Sequence, residues 1–169
     1  MISGAIPVVR GPCTTRGYYN APEKNAEAIT FHGFYRSGDL LNMQTVNGRE
    51  YLFFGGRTKD VVDRGGETIN CQEVEAVIGK HPSVGEVAGV AMPDPLYGEK
   101  LCVFIVWRQG AEPLDVAGLG AFLGEQGLAK FKYPERIESV ETLPMTSSGK
   151  ISKPLMREAI RKILEEEMA

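Results

Sequence analysis

The 169 residues are 43% hydrophobic and 24% charged, enough apolar material for one medium domain or two small ones with a packed core. The 22 acidic and 19 basic residues are spread along the chain and leave a formal charge of −3, which demotes nucleic acids and anionic membrane surfaces as partners. Three cysteines (Cys13, Cys71, Cys102) without CxxC spacing and two isolated histidines (His32, His81) give no disulfide framework and no structural zinc site, and point to a reduced, cytoplasmic setting.

Met1–Pro7 lacks a basic stretch leading into a long apolar run, and no segment approaches ~20 uninterrupted apolar residues, so neither a signal peptide nor a membrane span is expected. Ile6–Val9 is a short apolar run, broken by Gly11, Pro12 and Gly17; Pro22–Ile29 then predicts a brief helix with proline in its first turn. Gly38–Met43 and Glu50–Phe54 predict two strands around Asn47-Gly48, a dipeptide suited to a turn with two positive φ angles. The character changes at Thr58. Val61–Ile69 predicts a second hairpin around Arg64-Gly65-Gly66-Glu67, and Asn70 with Glu73 resembles a capping box opening a helix through His81.

Val84–Met92 and Leu101–Trp107 are β-branched apolar runs separated by a turn-rich segment, and so predict core strands. A helix carrying Leu119, Phe122 and Leu123 follows, in spite of glycines at 118, 120 and 124 that cost helix stability. Arg136–Val140 alternates as a strand, and Pro154–Glu167 is amphipathic, with Leu155, Met156, Ala159, Ile160, Ile163 and Leu164 on one side. The order predicts an α+β domain: a mixed sheet of about three strands covered by helices.

Residues able to carry chemistry concentrate in three places. Pro144–Lys150 is a hydroxyl-rich loop ending in Gly-Lys, which offers a compact mobile cation to phosphate or carboxylate oxygens. It is not a P-loop: Pro144 stands where the first glycine is required, Ile151 follows the lysine, and no helix starts there. Upstream, Tyr35-Arg36-Ser37-Gly38-Asp39 and Gly56-Arg57 place a carboxylate and a guanidinium at predicted strand ends, and the order of Asp39, Arg57 and Lys150 reads as one nucleotide site. Singly, each has a plainer reading: Asp39 as a turn cap, Arg57 as a surface ion-pair partner, Lys150 as a solvated lysine. Gly118–Gly124 has the wrong spacing for a dinucleotide fingerprint, and Cys71 and Cys102 read as small buried residues.

Arg10-Gly11-Pro12 through Gly17-Tyr18-Tyr19, Gly33–Asp39, Gly56-Arg57-Thr58-Lys59-Asp60, Arg64-Gly65-Gly66-Glu67 with Glu73-Val74-Glu75, and Pro144–Lys150 together resemble, in register, the C-terminal part of the adenylate-forming superfamily. Val62–Glu67 and Glu125–Pro134 look most like 2,3-dihydroxybenzoate-AMP ligases and bacterial acyl- or aryl-CoA ligases. The resemblance implies that residues 1–57 are the last β-rich segment of a large adenylation domain. It makes 58–169 a small mobile C-terminal domain with a three-stranded sheet and helices. The activity implied is that of an ATP-dependent carboxylic acid:thiol ligase, which forms acyl-AMP and then a thioester with coenzyme A or a carrier protein's phosphopantetheine.

Roles follow by resemblance: Asp39 and Arg57 on the ribose, Phe54 near the nucleotide, Lys150 between the attacking carboxylate and the α-phosphate, Lys59 as hinge, Gly65 and Gly66 beside the pantetheine arm. The magnesium ligand is expected outside the chain, which reads as a fragment with little activity alone. A non-catalytic docking module for a carrier protein is the rival reading. The truncated β-rich segment would favour self-association, and Lys150 is the position where acetylation would silence such an enzyme.

Overall fold

Two units make up the computed structural model, which describes residues 2–168: one runs to Lys59 and the other starts at Asp60. The first holds β1 (Ile2–Ala5), β2 (Val8–Val9), α1 (Pro22–Ala28), β3 (Tyr35–Arg36), β4 (Asp39–Val46) and β5 (Arg49–Arg57). Asn47 and Gly48 turn at φ 51° and 75°, the twist a two-residue hairpin needs, and join β4 to β5 in antiparallel register. Both strands run further than their sequence patterns predict, ending the hairpin on the pair Asp39 and Arg57. The strands approach closely near the open end: a Cβ on Gly55 would stand 2.9 Å from Asn42 Nδ2 and 3.3 Å from Leu40 O, so a side chain there would force Asn42 to shift. β1 pairs with β4 and β2 with β3, while Leu52, Phe53 and Phe54 on β5 are exposed.

The second unit starts on the last residue of a 3-10 turn, Thr58–Asp60, and contains β6 (Val61–Arg64), β7 (Glu67–Asn70), α2 (Cys71–Ile78), β8 (Val84–Asp94), β9 (Gly98–Trp107), α3 (Val116–Glu125), β10 (Arg136–Ser139) and α4 (Lys153–Glu167). β9 is the central strand. β8 pairs antiparallel along its length, β10 lies parallel to its 102–105 stretch, and β6 meets it at Arg64 opposite Gly98. The three expected strands are β8, β9 and β10; the β6–β7 hairpin joins them to make a five-stranded sheet.

Period-two alternation along β9 supplies both faces of the core. Leu101, Val103 and Ile105 pack with Val74 and Ile78 of α2 and Leu119 and Leu123 of α3. Cys102 and Phe104 pack on the other face with Met156 and Ile160 of α4. Each such fully buried aliphatic side chain is worth roughly 1.5–3 kcal/mol relative to exposure, so the helices are held by these stripes. Leu155, expected on the apolar side of α4, points outward at 49% exposure.

Local details depart from the sequence reading for identifiable reasons. α2 ends at Ile78, with Gly79 as its C-cap, three residues before His81. Asn70 caps the helix by accepting from Gln72 N–H, and the carboxylate of Glu73 holds Lys132 Nζ at 2.6 and 2.7 Å. His81 Nδ1 accepts from Ser83 N–H at 3.2 Å and its ring stands edge-on to Phe122. The glycines of α3 also find a purpose: Gly120 and Gly124 face Tyr133, and a Cβ on Gly124 would come 2.8 Å from its hydroxyl oxygen.

Candidate functional site

The β4–β5 register places Asp39 directly across from Arg57, and Arg57 Nε lies 3.4 Å from Asp39 Oδ1. The arginine side chain is 65% exposed and the aspartate 29%, so the pair sits at a wet strand end with carboxylate lone pairs left to accept from a ligand's hydroxyls. Its stability value is small at that exposure. The junction is braced from below: Thr58 N–H and Oγ1 both donate to Gly38 O, and Ser37 Oγ accepts from Asp39 N–H. Tyr35 stands beside it. A hydrogen bond and charge interaction with Tyr18, followed by desolvation and then the nearby charge of Asp39, hold its hydroxyl above the ordinary tyrosine pKa. Phe54 is 57% exposed two positions before Gly56.

In the second unit, Pro144–Ser152 forms a knot of short-range hydrogen bonds. Gly149 N–H donates to Thr146 O across a turn in which Gly149 takes φ 75°; Lys150 N–H donates to Thr146 Oγ1, and Thr146 N–H to Lys150 O. Met145 bridges Ile151, and Ser152 N–H returns to Pro144 O. The hydroxyls and the glycine thus build a rigid turn from which Lys150 projects. Its side chain is exposed, and among the described residues no acid pairs with the ammonium. α4 begins three residues later, so this is not a P-loop in space either.

The β6–β7 turn carries Gly65 and Gly66 at φ 58° and 93°, values that disfavour any side chain. Gly65 N–H donates to Tyr97 O at 2.9 Å, and Gly66 N–H to Asp63 Oδ1 at 3.0 Å. Arg64 lies with its guanidinium 4.1 Å from the Tyr97 ring centroid and donates twice to Glu135 Oε1, at 3.2 and 2.8 Å, which raises its pKa above the ordinary arginine value. Lys59 is exposed in the 3-10 turn, next to Asp60, which pairs with Arg157 of α4 at 3.1 Å. Glu75 accepts from Gly89 N–H and from Lys153 Nζ, both at 2.7 Å, and so anchors the start of the helix that follows the Lys150 turn.

The sequence-predicted residues therefore divide between the units: Asp39, Arg57 and Phe54 in the first, with Asp39 and Arg57 brought together, and Gly65, Gly66 and Lys150 in the second. Sequence reasoning assigned no contact to Glu135 or Tyr97, and met Glu75 only inside the Glu73-Val74-Glu75 motif; the Arg64–Glu135 and Glu75–Lys153 pairs join positions 71 and 78 apart and leave no local pattern. Among the described residues no group of three His, Cys, Asp or Glu is placed to hold a metal. No helix among them is long and apolar enough to cross a membrane. Burial pushes the Cys71 and Cys102 thiols up to about 12, which disfavours the nucleophilic thiolate at neutral pH.

This architecture, an acid–arginine hairpin followed by an α+β unit with a glycine turn and a projecting lysine, is that of the C-terminal part of enzymes that activate acids as adenylates. The chain belongs to this adenylate-forming superfamily, and residues 73–150 match the family described as the AMP-binding enzyme C-terminal domain. It is 48% identical over 153 residues to the 2,3-dihydroxybenzoate-AMP ligase of Bacillus subtilis (strain 168), a match covering 90% of this chain and 28% of that protein. It is 39% identical over 159 residues to the medium-chain fatty-acid–CoA ligase of Escherichia coli (strain K12), covering 94% and 28% respectively. The ATP-bound crystal structure of MatB from Rhodopseudomonas palustris aligns with a TM-score of 0.79 at 33% identity, over 96% of this chain and 32% of that one. The chain thus spans 28% of the length of these curated relatives.

Proposed function

We propose that this chain forms part of an ATP-dependent carboxylic acid:thiol ligase. The acid's carboxylate attacks the α-phosphate of ATP and expels pyrophosphate; a thiol of coenzyme A or of a carrier protein's phosphopantetheine then attacks the acyl carbon and expels AMP. The observation that carries this reading is Lys150, an exposed ammonium held on a cross-braced turn with no acid paired to it among the described residues. Bringing two anions together is the electrostatic difficulty of the first step, and a cation free of competing carboxylates offsets their repulsion where charge builds.

Asp39 accepts from the ribose 2′ and 3′ hydroxyls in this reading, and Arg57, 3.4 Å away, orients the carboxylate and reinforces the grip. Phe54 packs near the nucleotide. Residues 1–57 act as the end of the adenylating domain and 58–169 as its mobile partner, turning about Lys59 between half-reactions, so that the Gly65–Gly66 turn meets the pantetheine arm when Lys150 withdraws. Magnesium is held by residues outside this chain, and the chain alone has little activity.

The test is acid-dependent ATP–pyrophosphate exchange by the protein extended through its natural upstream sequence, with aryl, short-chain and long-chain acids. Exchange with one class supports the reading and names the substrate; a folded, extended protein that exchanges with none overturns it. The exposed Leu52, Phe53 and Phe54 on β5 also lead us to expect self-association of the isolated chain, checked by light scattering.

A further inference from the structure

The Gly65–Gly66 turn is flanked by Arg64 and by groups remote in sequence. Arg64 immediately precedes it and is gripped on two sides: the Tyr97 ring lies 4.1 Å from the guanidinium carbon, and Glu135 Oε1 accepts from both Nε and Nη2. Tyr97 also receives the Gly65 N–H on its carbonyl, and a Cβ on Gly65 would come 3.2 Å from its ring. Tyr97 is itself fixed, since its own N–H donates to Asp94 Oδ1, while Asp94 Oδ2 holds Lys100 Nζ at 2.8 Å. Glu135 is placed by the backbone, its N–H donating to Leu101 O on β9.

The Glu135 carboxylate is a poor choice if stability alone set its identity. Both donors of Arg64 converge on Oε1, and Oε2 is buried with no hydrogen-bond partner among the described residues. An unsatisfied buried acceptor costs about 1–3 kcal/mol, and a bidentate pair using both oxygens would avoid that cost. Held on Oε1, the guanidinium lies over the Tyr97 ring, 4.1 Å from its centroid.

We propose that Glu135 is a positioning residue for the Gly65–Gly66 turn: acting through Arg64 and the face of Tyr97, it holds the turn's backbone in the shape that the acceptor thiol's arm passes. Its functional half rests on the thioester-step reading of this turn given above. Its structural half stands on the hydrogen bonds alone. The carboxylate carries the charge that fixes the guanidinium, and loss of that charge frees Arg64 to leave the ring and the turn to fluctuate.

Amide hydrogen exchange on the isotope-labelled chain tests the structural half. Glu135→Gln should speed exchange of the Gly65 N–H at least tenfold and leave the Val103 and Ile105 amides of β9 within twofold. An unchanged Gly65 rate, or equal acceleration of Gly65 and β9, overturns the proposal, because a merely structural role moves all amides together. Arg64→Met should loosen Gly65 similarly, and adding Glu135→Gln to it should have no further effect; additive effects show that Glu135 does not act through Arg64 and also overturn it. In the protein extended upstream, Glu135→Gln should raise the apparent KM for coenzyme A about tenfold with ATP–pyrophosphate exchange within twofold, and loss of both activities in parallel counts against it. If the unmodified extended protein makes no thioester, the functional reading fails while the exchange data still decide whether Glu135 holds the turn.

Discussion

Removal of the Glu75 carboxylate should damage the second unit more than its single side chain implies. Glu75 Oε1 accepts from Gly89 N–H and Lys153 Nζ, both at 2.7 Å, so one oxygen joins α2 to β8 and to the first residue of α4. Gly89 is buried, and the Lys153 side chain is 14% exposed. In Glu75→Ala the orphaned amide costs about 1–3 kcal/mol. The partly desolvated ammonium adds roughly 1–2 kcal/mol, less than the cost of stranding a fully buried charge because some water reaches it. The sum, about 2–5 kcal/mol, is a large part of the ~5–15 kcal/mol that holds a typical domain folded. Glu75→Gln keeps an acceptor for Gly89 and loses only the ion pair, for about 1–2 kcal/mol. Urea unfolding followed by fluorescence reads this unit selectively, because Trp107 on β9 is the only tryptophan. The alanine variant should lose at least twice as much as the glutamine variant at unchanged m value. An alanine variant within ~0.5 kcal/mol of the parent would refute the claim that Gly89 and Lys153 depend on this oxygen.

Lys150→Ala should leave stability within ~0.5 kcal/mol, since the side chain is exposed. In the upstream-extended protein it should cut adenylation by roughly 10²–10³-fold while sparing thioester formation from supplied acyl-AMP; equal loss of both half-reactions contradicts its assigned role. Thiol titration of the native chain at pH 8 should find one fast cysteine, Cys13, and all three only after unfolding; fast labelling of Cys71 or Cys102 would show that their burial is not maintained. Folded Cys71 and Cys102 are held up to about 12 by burial against an ordinary 9.0, so their stability contribution is complete below pH 9.0 and falls as pH rises toward about 12, visible as a declining urea midpoint. Gly120→Ala should gain up to ~1 kcal/mol of helix stability, because its Cβ makes ordinary contact with Tyr133 at 3.4 Å. Gly124→Ala should gain less or lose, since Tyr133 must tilt away from a Cβ at 2.8 Å, and thermal melts that rank the two the other way would contradict this packing.

The sequence alone determined what local chemistry controls. Asn47-Gly48 encodes its hairpin because the turn needs positive φ at both positions, whereas a one-residue register shift between Leu40 and Leu41 is what brings Arg57, rather than Gly56, opposite Asp39. Asn70 and Asp115 cap α2 and α3, the alternation of Leu101–Ile105 marks a strand buried on both faces, and the Thr-Ser-Ser-Gly run makes the turn that presents Lys150. Only the tertiary structure decided that the β6–β7 hairpin joins the sheet through Arg64 opposite Gly98, and that β10 runs parallel to β9. It also decided that Glu73 holds Lys132 from across the fold, and that Gly124 faces a tyrosine packed against α3. In the sequence Glu75 stands only as a member of the Glu73-Val74-Glu75 motif, and Glu135 carries no signal. Each takes its meaning from a partner 78 or 71 positions away, and which distant groups a side chain meets is settled by how sheet and helices pack, a quantity no short-range spacing encodes.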